Sequence, residues 1–412
     1  MGEEVVNPNK SMIVTNEPSL RFRESSGEWV KKKVGEICDF IVPGRNKPQD
    51  FNGDIPWITT PDIQHNSTVL YSKNGLAISK EEAKSVGSKI VPKNSIIISC
   101  VGELGLTAIA GTDMVINQQL HAFIPNEKSN NRFLLYSIGK QKKYMDRVAT
   151  KTAVPYMNKD NCNAIPIYLP TLPEQQKIAS FLTAVDTKIA QLTEKKTLLE
   201  QYKKGVMQKI FSREIRFKPT PNDPTYSAGK YPDWEEKKLG EVSEINPKNS
   251  ALPKSFIYID LESVDKGDLV KETQINKSEA PSRAQRILSK NDVLYQMVRP
   301  YQMNNYHFKS DGNYVASTGY AQLRVKRNAS FIFQLIHTEE FVNNVLERCT
   351  GTSYPAINPT DLGKINISIP CHEEQTQIAN FLSAIDDKIK LVSTQLEKTQ
   401  GFKKGLLQQM FV

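Results

Sequence analysis

Ile165 to Ser212 reads IPIYLPTLPEQQKIASFLTAVDTKIAQLTEKKTLLEQYKKGVMQKIFS, and Ile365 to Val412 reads INISIPCHEEQTQIANFLSAIDDKIKLVSTQLEKTQGFKKGLLQQMFV. The offset is 200 residues without a gap, and eighteen of the 48 positions are identical. The identities include Glu174/Glu374, Gln175/Gln375, Phe181/Phe381, Asp186/Asp386 and the Lys-Lys-Gly at 203–205 and 403–405. Chance does not give this, so the chain is an internal duplication. Upstream, Thr150, Thr152, Pro155 and Asn158 align with Thr350, Thr352, Pro355 and Asn358.

Within the repeat, apolar residues recur in steps of four and three, the seam of a heptad helix. The first copy has Ile178, Leu182, Val185, Ile189, Leu192, Lys196, Leu199, Lys203, Val206 and Ile210. The second has Ile378, Leu382, Ile385, Ile389, Val392, Leu396, Thr399, Lys403, Leu406 and Met410. A helix from Glu174 to Phe211 would be about 57 Å long. Thr171-Leu172-Pro173-Glu174 fits a capping box, with Pro in the first turn. Gly205 and Gly405 mark either a local stop or fraying, or else a close helix crossing or partner contact. The stripe needs cover. Either each helix packs on its own head, or the two pair antiparallel as a rod with a pseudo-twofold axis. The narrow heptad stripe favours the rod.

A second match opens each half: Glu28-Trp29-Val30-Lys31-Lys32-Lys33-Val34-Gly35-Glu36 resembles Asp233-Trp234-Glu235-Glu236-Lys237-Lys238-Leu239-Gly240-Glu241, at an offset of 205. Between the anchors the halves diverge. Short strands are expected at Ser95–Val101, Val115–Phe123, Phe256–Asp260, Val293–Val298 and Gln322–Val325, and helical pieces at Arg132–Ala149 and Ser330–Arg348. The expected fold is α/β (α+β): two similar heads joined by two long helices in an antiparallel coiled coil. The segments are an N-terminal extension (1–28), a first head (29–165), a first helix (166–212), a linker (213–231), a second head (232–369) and a second helix (370–412).

Length and composition agree. At 412 residues, the chain suits two or three domains. With 39% hydrophobic and 24% charged residues it is a folded, soluble class of chain. No apolar run approaches the roughly 18 residues of a membrane helix, and no secretory signal is expected. Five scattered cysteines argue against a disulfide framework and for a cytoplasmic setting. The net charge of +9 suits an anionic partner, nucleic acid being the usual one for a cytoplasmic chain, and equally a basic protein with no such partner.

Side chains that read base edges or hold phosphates interleave with aromatics in both heads. The first head has Arg45, Lys47, Trp57, Thr59, Thr60, Gln64, His65, Gln118 and Gln119. The second has Arg283, Arg286, Arg299, Tyr301, Gln302, Asn304, Asn305, Tyr306 and Tyr354. Each also reads as an ordinary solvated loop residue. No Walker loop, zinc spacing or Gly-x-Ser-x-Gly elbow occurs, and no Asn-Pro-Pro-Tyr or Asp-Pro-Pro-Tyr tetrapeptide. One rival remains: Pro61-Asp62 with Glu82-Ala83-Lys84 fits the loose pattern of a stand-alone Mg²⁺-dependent nuclease. A purely structural coiled-coil protein is the other alternative.

The repeated LPTLPEQQKIASFLTAVDTKI and IPCHEEQTQIANFLSAIDDKI, each leading to Lys-Lys-Gly, resemble the specificity (S) subunits of type I restriction-modification systems. So do the Trp-led openings, Val298-Arg299-Pro300-Tyr301 and Gly351-Thr352-Ser353-Tyr354-Pro355-Ala356-Ile357-Asn358. The first head departs: Cys100-Val101-Gly102-Glu103 stands in place of the Arg-Pro-Tyr stretch, and Val154-Pro155-Tyr156 in place of Tyr-Pro-Ala. The resemblance implies two target-recognition domains, each reading one half of a bipartite, asymmetric site on double-stranded DNA. It implies helices that bind two methyltransferase subunits, which use S-adenosylmethionine to methylate adenine. Restriction subunits would cleave with ATP and Mg²⁺. The chain itself would be non-catalytic, with no cofactor or metal of its own. A helix of about 57 Å spans one turn of DNA, roughly 34–36 Å, but not two, so half-site centres are expected about 10 base pairs apart.

Overall fold

The computed structural model describes residues 16–44, 46–221, 223, 229–248, 251–351 and 353–412. Arg45 and Thr352 lie outside the described residues, as do parts of the 1–28 and 213–231 segments. The chain forms two compact units. One runs to Thr193 and takes in Gln395–Val412; the other is Glu194–Thr394. No helix among the described residues is long and apolar enough to cross a membrane.

In the first unit the central sheet runs Cys38–Ile41, Leu120–Pro125, Ile96–Ser99, Thr107–Ala110, Ser67–Val69. All pairings are antiparallel except the last. Ile96, Ile97 and Ile98 are fully buried because both faces of the sheet are covered. Successive side chains point to opposite faces. Ile96, Ile98 and Phe123 therefore meet the helical core around Trp29 and Phe133, while Ile97, Ala108 and Ala122 meet Ile58, Met114 and Ile116. A smaller sheet holds the parallel pair Ile55–Ile58 and Val115–Ile116.

The second unit repeats this frame. Ser243–Ile245, Tyr320–Val325, Val293–Gln296 and Tyr306–His307 form an antiparallel sheet. Ser255–Ile259 runs parallel to Tyr314–Ser317 in a second, mixed sheet. Val293, Tyr295 and Leu323 face the helical core, and Leu294 and Tyr320 face the other way. The heads thus share the order of four central strands and a parallel pair in the second sheet although their sequences diverge. Ser67–Val69 adds a fifth central strand in the first head, and the second sheet has three strands there against four in the second head.

Several expectations need adjusting. Asn117 to Gln119 form a turn that breaks Val115–Phe123, with Leu120 N–H donating to the Asn117 carbonyl at 3.1 Å. The Arg132–Ala149 piece is two helices, Asn131–Gly139 and Lys142–Val148. The Ser330–Arg348 piece is Ala329–Leu335 and Glu339–Leu346, the latter capped by the Thr338 hydroxyl. Trp57 is a buried strand residue packed edge-on against Phe51, not a loop residue. Tyr306 likewise lies in a strand.

The long helices span Leu172–Phe211 and His372–Gln409. In the first unit, Ile178, Leu182 and Val185 share a core with Leu406, Met410 and Phe411. In the second, Ile378, Leu382 and Ile385 share one with Met207 and Ile210. Leu192 and Val392 are buried, and Ile189, Leu199, Ile389 and Leu396 are half-buried. Within each unit the helix segments run antiparallel. Leu20 N–H bonds the Gln409 carbonyl, Arg21 holds Glu174, and further along Lys403 pairs with Asp186. The stripe is therefore covered from two sides, by the head and by the end of the other helix. Both glycines lie within continuous helix, and a Cβ at Gly205 or Gly405 would meet nothing within 4 Å. That removes the local stop, and a close crossing with any of the described residues.

Glu174 does not close a capping box. Its buried carboxylate takes two hydrogen bonds from Arg21, at 2.7 and 2.8 Å. Glu374 takes the same pair from Arg216, at 3.1 and 2.7 Å, plus one from Trp234 Nε1. Gln175 and Gln375 donate to the Pro170 and Pro370 carbonyls at 3.0 and 2.9 Å. The repeated Glu-Gln is thus a buried polar joint that fixes each helix start.

Candidate nucleic-acid interface

The two heads present equivalent loops at the ends of their central strands. In the first, Cys100 N–H donates to the Gln119 carbonyl (2.9 Å), Gly102 N–H to Pro155 (2.9 Å) and Met157 N–H to Cys100 (2.9 Å). In the second, Met297 N–H donates to Gly319 (3.1 Å), Arg299 N–H to Pro355 (2.8 Å) and Ile357 N–H to Met297 (3.0 Å). These three shared bonds put Cys100-Val101-Gly102 in the place of Met297-Val298-Arg299.

In the first head this frame gathers some of the expected residues. A cavity of about 210 Å³ is lined by Lys47, Trp57, Asn117, Gln118 and Gln119, among others. Thr60 and Asn117 both donate to Gln119 Oε1, at 3.1 and 3.2 Å. Thr59 serves structure: its N–H and hydroxyl both donate to Asp62 Oδ2 at 2.7 Å. Gln64 and His65 are exposed, and His65 Nδ1 lies 3.4 Å from the Thr107 hydroxyl.

In the second head the expected residues divide in two. Gln302 and Asn304 shape the loop: Gln296 Nε2 donates to Gln302 Oε1 at 2.9 Å, and Asn304 N–H to Gln296 Oε1 at 3.2 Å. Asn305 is buried and accepts from Gln296 N–H at 2.9 Å. Tyr301 and Tyr354 are instead exposed, and Arg299 is half-buried with its guanidinium 4.4 Å over the Tyr354 ring. Arg283 is exposed, while Arg286 is half-buried with an Nε that has no partner among the described residues. Burial lowers its pKa below the usual guanidinium value. A larger groove of about 870 Å³, lined by Glu235, Lys237, Asn328 and His372 among others, contains none of the expected residues.

The carboxylates of the nuclease pattern are both taken by N–H donors. Asp62 accepts from Thr59, Ser72 and Lys73; burial raises its pKa, but these bonds outweigh burial and leave it lowered. Glu82 accepts from the Gln49 and Asp50 N–H groups. Among the described residues no group of three or more His, Cys, Asp or Glu could hold a metal ion.

Sequence reading missed one pair of residues. Arg21-Phe22 and Arg216-Phe217 do the same work in the two units: arginine on the buried glutamate, phenylalanine edge-on to Phe181 or Phe381. The signal was present as Arg-Phe-Arg at 21–23 and Arg-Phe-Lys at 216–218.

The family model for the type I restriction modification DNA specificity domain matches twice, over residues 26–201 and 231–399. The chain belongs to that family. Among curated relatives, the type I restriction enzyme MjaVIII specificity subunit of Methanocaldococcus jannaschii is 25% identical, covering 94% of each chain. The MjaIX specificity subunit of the same organism is 21% identical, covering 93% of this chain and 92% of its own. The crystal structure of a type I restriction-modification S subunit from M. genitalium shares the fold, with a TM-score of 0.64 at 15% identity over 96% of this chain and 99% of that one. Each match to the specificity-domain model takes in one head and part of the long helix that follows it.

Proposed function

We propose that each head reads one half of a bipartite, asymmetric DNA site, and that the chain has no catalytic chemistry of its own. The observation that carries this is the shared loop frame with different side chains: Gly102 in one head, Arg299 in the other. One scaffold displaying two sets of base-edge donors suits two different half-sites. Asymmetry of the target follows from that difference.

The long helices are read as spacer and as docking surface for two methyltransferase subunits, which bring S-adenosylmethionine. Restriction subunits bring ATP and Mg²⁺, and the setting is the cytoplasm. Tyr202 and Phe402 support the docking role: both are exposed, in matching positions, three residues before Gly205 and Gly405. An exposed aromatic beside a helical glycine with open space around it suits close approach by another chain.

The test is to express the chain with its methyltransferase in a host lacking other adenine methylation and to sequence the methylated bases. A two-part, non-palindromic motif with half-site centres about 10 base pairs apart is expected. A continuous motif, a palindrome, or methylation independent of this chain would sink the reading. DNA cutting by the purified chain with Mg²⁺ alone would favour the nuclease instead.

A further inference from the structure

Gly102 and Arg299 occupy equivalent places, and both have a left-handed backbone, with φ of 74° and 52°. Glycine takes that conformation freely; arginine does so at a cost. The first head shows the unstrained solution, so the second keeps an arginine where the fold would accept glycine. Strain retained at a half-buried position, where the other copy has glycine, points to a use for the side chain.

The surroundings fit that use. Gln296 braces the loop through Val298, Gln302 and Asn304. The guanidinium rests on the exposed Tyr354 ring, which limits how the fork can turn. Arg21, Arg216 and Arg324 each spend their donors on a carboxylate, but no side-chain hydrogen bond or ion pair ties the Arg299 guanidinium to another described residue. A flat, oriented guanidinium with open donors matches the O6 and N7 acceptors of guanine in the major groove.

We propose that Arg299 reads a guanine in the half-site taken by the second head, with Tyr354 as its positioning residue. This rests on the reading of the heads as DNA readers. The test uses the full chain with its methyltransferase and compares methylated motifs from the unaltered chain, R299G and R299K. The expected result is that one G·C position in one half-site becomes degenerate in both variants, with preference there falling about tenfold or more. The other half-site should stay unchanged, and R299G should melt no lower than the parent. An unchanged motif overturns the proposal. So does equal weakening at every position, which marks a phosphate contact. A lowered melting temperature for R299G also overturns it, since the arginine would then be structural. If the unaltered chain confers no motif, the broader reading fails instead.

Discussion

Lys203 Nζ lies 2.6 Å from Asp386 Oδ1, and Lys403 makes the matching pair with Asp186. Each pair takes one residue from each copy of the repeat. These lysines sit at seam positions where apolar residues are otherwise the rule. A polar residue at such a position can set helix register. The pairs should couple measurably. A double-mutant cycle on Lys203 and Asp386 should give up to about 1 kcal/mol, because Asp386 is 38% exposed. The Lys403–Asp186 pair should give more, since it is more buried and Tyr136 also donates to Asp186 at 2.6 Å. Additive single mutants at both pairs would remove their role in register.

Phe411 packs against Trp29 and Phe133, and Phe211 against Trp234 and Phe331. Phe411→Ala should therefore destabilise by about 3–5 kcal/mol. The damage should appear in the first unit, although Phe411 belongs to the second copy. Hydrogen exchange would locate it: faster exchange around Trp29 and Phe133 is expected. Loss of protection confined to residues near Trp234 would contradict the assignment.

Gly205→Ala and Gly405→Ala should each stabilise the isolated chain, by about 1 kcal/mol, because a helical glycine is replaced where the added methyl meets open space. The same changes should weaken methyltransferase co-purification if a partner approaches there. Higher stability with full-strength association would remove these glycines from the docking surface.

His121 and His307 are buried, His307 with an Nε2 that lacks a hydrogen-bond partner among the described residues. Burial lowers both pKa values to about 4. The unfolded chain binds their protons near pH 6.5, so unfolding is favoured as pH falls. Their contribution is complete above about pH 6.5 and is lost between there and about pH 4, by up to about 3 kcal/mol each. Denaturant midpoints from pH 7 to 4.5 should fall steeply for the parent and less for the His121→Phe, His307→Phe double variant. Parallel pH curves for the two would refute the attribution.

The long helices were legible because heptad spacing is a property of the sequence itself. Lys203 and Lys403 were visible as breaks in the stripe, but their partners were not, since Asp186 and Asp386 lie off the seam. The common frame of the heads was hidden because it is held by backbone bonds such as Gly102 to Pro155, which leave side chains free to change. The Arg21 and Arg216 clamps escaped because the stretch from Phe217 to Trp234 is ten residues longer than that from Phe22 to Trp29. Arg299 was legible as a loop cation; its left-handed backbone, which gives it meaning, was not.

The aromatic contacts at the helix ends bear on how the two copies could diverge. Each core holds a phenylalanine supplied by the opposite copy, so a change in one copy is felt in the core headed by the other. The repeated helices must therefore drift together, by compensating changes or by conversion of one copy to the other. The loops around Gly102 and Arg299 carry no such mutual constraint. Inheritance of the duplicated gene would then preserve the joint while each reading surface evolves separately.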